Sequence, residues 1–136
     1  FTITMDEALE FILNVTEISQ GSEIFVPKLL SYDMALLTST LNEIIELKEK
    51  QIIGIRPGEK LHESLINSYE LLYTYEMGDY YVILSPHVKN FQSNNIEKLY
   101  PSIKKISNMD TYSSDNVSKI SKEELKQKIL NLNLIN

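Results

Sequence analysis

The sequence predicts a single small α/β domain of α+β character, and three observations predict it. Helix-start signatures open segments whose apolar residues recur at helical spacing. Between these segments lie short β-branched and aromatic runs closed by Pro or by polar turn residues. The chain has 136 residues, 43% apolar and 24% charged, which allows one core of useful size and not two domains.

Phe1-Thr2-Ile3-Thr4 reads as an extended segment, and its first residue is not Met. Thr4 then precedes Met5-Asp6-Glu7-Ala8, a hydroxyl at the N-cap with carboxylates in the first turn, and Glu7 completes a capping box. With Ala8, Phe11, Ile12 and Val15 at helical spacing, a helix is predicted from Thr4 to about Glu17, ended by Gln20-Gly21-Ser22. Glu23 to Pro27 predicts a strand. Ser31 or Asp33 caps a second helix through Met34, Leu37, Leu41, Ile44 and Ile45, with a charged face continuing to Lys50. Gln51 to Ile55 predicts a buried strand, Arg56 to Lys60 a turn, and Leu61 to Ile66 a short helix. Tyr69 to Glu76 reads either way. Tyr80 to Leu84 predicts a strand closed by Ser85-Pro86. From His87 to Asn116 the chain turns polar, with Asn94, Asn95, Ser113 and Ser114 among others, and an extended, partly mobile segment is expected. Ser121 caps a last helix to about Leu132, with Glu124 completing a second capping box. Residues 1–86 are thus expected to form the main lobe, and 87–136 an arm and terminal helix of the same domain.

The net charge of −6 disfavours a nucleic-acid partner, which needs clustered Lys and Arg, but leaves an anionic small molecule open. Without cysteine there is no disulfide and no thiolate metal site, and no metal ligand set is assigned. No apolar run approaches the roughly 20 residues that span a bilayer. The four glycines, Gly21, Gly54, Gly58 and Gly78, have neither dinucleotide-binding nor P-loop spacing.

The densest polar constellation is Gly54-Ile55-Arg56-Pro57-Gly58-Glu59-Lys60-Leu61-His62-Glu63. A strand would deliver Arg56 to its C-terminal end, where α/β proteins place ligands. A guanidinium fork suits a pair of phosphate oxygens, and a carboxylate suits a vicinal diol. Arg56 and Glu59 together therefore fit a nucleoside diphosphate. By spacing alone, a surface ion pair around a tight turn is the commoner arrangement. His62 and Lys60 taken singly read as surface residues.

The stretch Ile53 to Glu63 closely resembles one in the UDP-N-acetylglucosamine 4,6-dehydratases, in the polysaccharide-biosynthesis branch of the extended short-chain dehydrogenase/reductases. Three more stretches agree in order: Phe1 to Ala8, Gly21 to Lys28, and Tyr112 to Asn116 followed by Glu123-Glu124-Leu125. The Leu61-His62-Glu63 ending is most similar to the inverting enzymes of the pseudaminic-acid route. The resemblance implies the C-terminal substrate lobe of a cytoplasmic enzyme, lacking the Rossmann half that would hold NADP and the catalytic residues. It implies Arg56 on the diphosphate, Glu59 on the ribose hydroxyls, Gly58 for close backbone approach, and Lys28 near the uridine end. No catalytic or cofactor-binding residue is expected in this chain, which alone is expected to be inactive. The implied partners are a UDP-sugar, the Rossmann half and a possible second copy. Ser22, Leu30 and Lys119-Ile120 depart from the family pattern, and the family's Thr-Arg pair would precede Phe1. An epimerase lobe and a non-catalytic interaction domain, with the Asn- and Ser-rich arm and Tyr69, Tyr73, Tyr75, Tyr80 and Tyr81 as its surface, are the alternatives.

Overall fold

The computed structural model describes residues 1–46, 49–91 and 96–132. Helix α1, Met5–Ile18, begins where its capping box requires: the Glu7 N–H donates to Thr4 Oγ1 at 3.2 Å, and the Thr4 N–H donates to Glu7 Oε2 at 2.7 Å. Helix α2, Met34–Ile44, is capped by Asp33, whose carboxylate accepts the Leu36 N–H at 2.7 Å. Of the two caps open in the sequence, the structure uses Asp33. The helix stops at Ile44, so the charged run after it is not helical where it is described; Lys48 lies outside the described residues.

A four-stranded antiparallel sheet has the order β1-β4-β3-β5, with β1 at Glu23–Pro27, β3 at Thr74–Met77, β4 at Tyr80–Leu84 and β5 at Lys104–Lys105. β3 and β4 form a hairpin on the two-residue turn Gly78-Asp79, with Gly78 at φ +55. β4 is central and covered on both faces, which is why four of its five residues are buried. Its side chains alternate with period two. Tyr81 and Ile83 join Val26, Ile66, Leu71 and Tyr112 on one side. Val82 and Leu84 join Phe91, Ile96, Tyr100 and Ile103 on the other.

Three local expectations are corrected. Residues 51–55 form no strand; they are irregular and exposed, with Ile52 at 98%. An apolar run becomes a strand only when a neighbour accepts its backbone bonds and a layer covers its side chains, and neither is present among the described residues. Residues 61–66 are not a helix: Ser64–Ile66 is strand β2, paired antiparallel with β6, Tyr112–Ser113. The next helix, α3 at Ser68–Leu71, starts later because Asn67 caps it, accepting the Tyr69 and Glu70 N–H groups. The polar stretch after His87 is not simply extended either. It holds a 3-10 turn at Lys89–Phe91, helix α4 at Ile96–Leu99, and both β5 and β6, and Phe91, Ile96, Tyr100, Ile103 and Tyr112 are core. Asn94 and Asn95 lie outside the described residues.

Helix α5, Lys122–Asn131, starts at Ser121, whose hydroxyl accepts the Glu124 N–H at 3.2 Å; the reciprocal bond that would complete a box is absent from the described contacts. The segment before it is stitched to the α2 approach, as the Ser31 N–H donates to Ser118 C=O and the Ile120 N–H to Ser31 C=O. Among the described residues no helix is long and apolar enough to cross a membrane, and no three His, Asp or Glu side chains are grouped to hold a metal.

Candidate functional site

Pro57 presets φ for the first central position of a turn, and Gly58 supplies the positive φ, +88, that a type II turn demands at the second. The Glu59 N–H closes the turn on Arg56 C=O at 3.0 Å. The Glu59 carboxylate reaches back and accepts the Arg56 N–H at 2.8 Å. Arg56 and Glu59 are thereby held on one small loop by backbone chemistry that needs nothing else in the fold. Their side chains pair only loosely, Nε to Oε1 at 3.8 Å, and remain 68% and 50% exposed. A contact that long is an ion pair without a hydrogen bond, so the two side chains are not bonded to each other, and the carboxylate is held only through Oε2, which accepts the Arg56 N–H.

What carries this turn differs from the expectation. No strand leads into Arg56; the anchor lies on the other side, at β2. There the Glu63 N–H donates to Ser114 Oγ at 3.1 Å and the Ser114 N–H to Glu63 C=O at 2.9 Å. His62 lies close enough to Asp115 to help lower its carboxyl, an effect led by the hydrogen bond from Ser113.

Lys28 sits apart from that turn. It follows β1 and lines a cleft of about 490 Å³ with Glu7, Phe11, Asp79, Tyr80 and Glu124; none of Arg56, Gly58 or Glu59 is in that lining. Its ammonium donates to Glu76 Oε1 at 2.5 Å and to Gly78 C=O at 2.6 Å, and lies 5.3 Å from the Tyr81 ring centroid. The bond from Lys28 holds the Glu76 carboxyl below the usual range. The backbone on each side of Lys28 is gripped by one side chain. Tyr112 Oη accepts the Leu29 N–H at 2.5 Å and donates to Pro27 C=O at 3.2 Å. Burial pushes the Tyr112 hydroxyl up, which keeps it a neutral donor and acceptor.

The structure therefore brings Arg56, Gly58 and Glu59 together and keeps Lys28 in a separate cleft. Sequence reasoning missed Glu76 and Tyr112 as the residues that hold Lys28. The pairing of Lys28 with Glu76 follows only from the β1-β4-β3 strand order. The one available signal was Glu76, the single carboxylate of β3, between Tyr75 and Met77.

The model of the polysaccharide biosynthesis protein family matches residues 1–85, a stretch that contains Lys28, Arg56, Gly58 and Glu59. The chain belongs to the polysaccharide biosynthesis protein family. Among similar members, the UDP-N-acetylglucosamine 4,6-dehydratase (inverting) of Campylobacter jejuni is 39% identical over 119 residues, 85% of this chain and 34% of that protein. The UDP-glucose 4-epimerase of Rickettsia canadensis is 31% identical over 137 residues, 99% of this chain and 39% of that protein. Pen from Bacillus thuringiensis, solved by X-ray, superposes with a TM-score of 0.75 at 30% identity, covering 100% of this chain and 38% of its own. The chain thus spans little more than a third of the length of the relatives it matches, and the family's homologues include nucleotide-sugar dehydratases and epimerases.

Proposed function

We propose that this chain is the substrate lobe of a longer nucleotide-sugar 4,6-dehydratase, binding UDP-N-acetylglucosamine through the Arg56–Glu59 turn. The observation that supports it most is the turn itself: a cation and a carboxylate preset on one exposed loop, uncommitted to each other. Arg56 takes the diphosphate, where a planar fork can bond two oxygens at once. Glu59 accepts from the ribose hydroxyls. Gly58, without a Cβ, lets the backbone approach the ligand. Lys28 is assigned to the uridine end, with its third N–H left for the ligand while Glu76 and Gly78 hold the other two.

The residues of this chain do not fit the NADP that the reaction requires. There is no glycine fingerprint: Gly21, Gly54, Gly58 and Gly78 do not have that spacing. NADP and the catalytic groups are assigned to the remaining portion of the longer protein, and the lobe alone is expected to turn over no substrate. A second reading, an epimerase lobe, is favoured by one observation: the match to the Rickettsia protein runs through the tail, over 99% of the chain.

Calorimetric titration of UDP tests the assignment. Saturable binding is expected, weakened about tenfold or more by Arg56→Ala or Glu59→Ala, since a hydrogen bond to a charged group contributes roughly 1.5–3 kcal/mol. Binding that neither substitution changes would overturn the assignment of the turn.

A further inference from the structure

Helix α1 carries Met5, Ala8, Leu9, Phe11, Ile12, Leu13, Val15 and Ile18, yet none of its residues is fully buried. Ala8, Phe11, Val15 and Ile18 are half-buried on the side that meets the sheet, where the Phe11 ring stands edge-on to Tyr80 with centroids 6.0 Å apart. Met5, Leu9, Ile12 and Leu13 recur at i, i+4, i+7 and i+8, a second stripe that faces outward. They are exposed, Met5 at 72% and Leu13 at 68%. A helix that is apolar on both sides is one that lies between two bodies.

The charges say what the second body is. The charged residues of α1 are Asp6, Glu7, Glu10 and Glu17, all acidic. Glu7 is taken by Lys128 and by its cap. Asp6, Glu10 and Glu17, spaced i, i+4 and i+11, line one edge of the outward stripe. A second copy docked helix to helix would set this acidic edge against itself, in a chain whose net charge is already −6. The relatives, by contrast, carry about two thirds of their length outside the matched region, since the chain covers 34–39% of them. A surface on the same polypeptide meets the helix at high effective concentration.

We propose that the outward face of α1 docks onto that remaining portion of the longer protein, against an apolar surface bearing Lys or Arg opposite Asp6, Glu10 and Glu17. The inference rests on the reading of this chain as one lobe of a longer protein. It adds which helix makes the joint and what chemistry faces it.

Hydroxyl-radical footprinting of the longer protein, with the 136-residue chain alongside, tests it. Labelling of Met5, Leu9, Ile12 and Leu13 is expected to fall several-fold in the longer protein. Leu13→Asp is expected to lower the melting temperature of the longer protein and leave that of the 136-residue chain unchanged. Equal labelling in the two would overturn the proposal. So would protection in the 136-residue chain alone that rises with concentration as its mass doubles, because the occupant is then a second copy. UDP binding is read separately: its loss with α1 still protected sinks the nucleotide assignment only, and the reverse sinks the docking only.

Discussion

Two regions of this molecule are built on opposite terms. Around β4, each residue is set by many others: Tyr112, 2% exposed, packs 4.9 Å from the Tyr81 ring and 5.4 Å from Phe1, and its hydroxyl bonds both sides of Lys28. Between Gln51 and Glu63 every residue is exposed, and among the described contacts the conformation rests on one turn with two hydrogen bonds and on the anchor of Glu63 to Ser114. Damage to the first region is felt by the whole fold. Damage to the second stays where it occurs. The candidate binding groups are divided between them, with Lys28 in the over-determined region and Arg56 and Glu59 in the local one. Stability and binding should therefore respond to different substitutions.

The largest effect is expected at Tyr112. Tyr112→Ala removes a buried ring and is expected to cost about 3–5 kcal/mol, enough to unfold much of a marginal domain. Tyr112→Phe keeps the ring and deletes only the oxygen. It leaves the Leu29 N–H without its acceptor, and about 1–3 kcal/mol is expected. Urea denaturation followed by far-UV circular dichroism measures both. A Phe variant as stable as the parent would mean that the grip on Lys28 contributes nothing to the fold.

This contrast also explains what was readable in the sequence. Helix α1, strand β1, helix α2, strand β4 and helix α5 each carry their own signal: a capping side chain, a helical period, or a β-branched run closed by Pro or Ser-Pro. Such signals are local, so no partner need be known. Gln51 to Ile55 carries the same kind of strand signal and forms no strand, because pairing is a property of two segments and the text of one cannot report the other. β2 and β6 fail in the opposite direction. They are too short for a period to show, and they meet across 45 residues of intervening chain, residues 67–111, from Ser64↔Ser113 to Ile66↔Tyr112. At the candidate site the division is the same. The Arg56–Glu59 turn was readable because Pro57 and Gly58 dictate it locally, whereas the hold of Glu76 and Tyr112 on Lys28 exists only once the strands are in order.

Gly58→Ala sharpens the comparison from the other side. At φ +88 a Cβ costs about 1–2 kcal/mol. Nothing lies within 4 Å of the position where that Cβ would stand, so the cost is backbone strain alone. Because no described strand pairing or hydrogen bond ties residues 51–62 to the rest of the fold, the turn can relax into another shape without opening either core. The expected outcome is a melting temperature unchanged within error and a UDP affinity about 5- to 30-fold weaker, the factor that one or two kcal/mol represents. A lowered melting temperature with unchanged affinity would reverse the roles given to the two regions.

The smallest expected effect lies at the clamp on α5, which stands between the two cases. Its Leu125 is buried, but its flank is held by exposed ion pairs. Lys122 and Lys126 reach Glu43 at 2.5 and 3.0 Å, Lys119 reaches Asp33 at 3.0 Å, and Lys128 pairs with Glu7. Hydrogen bonding lowers all three carboxyls: from Lys122 and then Lys126 at Glu43, from the Leu36 N–H and then Lys119 at Asp33, and from Lys128 and then the Thr4 backbone at Glu7. A carboxyl lowered in the folded state contributes stability that is present above its unfolded pKa and lost as pH falls through the folded value. The clamp should accordingly hold above about pH 4.5 and loosen progressively below, given ordinary carboxyl values near 3.9–4.3. Exposed pairs are weak and screened by salt, so the readout must be local. Glu43→Gln at neutral pH, or high salt on the parent chain, is expected to speed amide exchange in α5 several-fold while exchange in β4 stays constant. If α5 exchanges at the parent rate in the variant and in high salt, the helix is held by Leu125 and its backbone stitching, and the ion pairs are surface decoration.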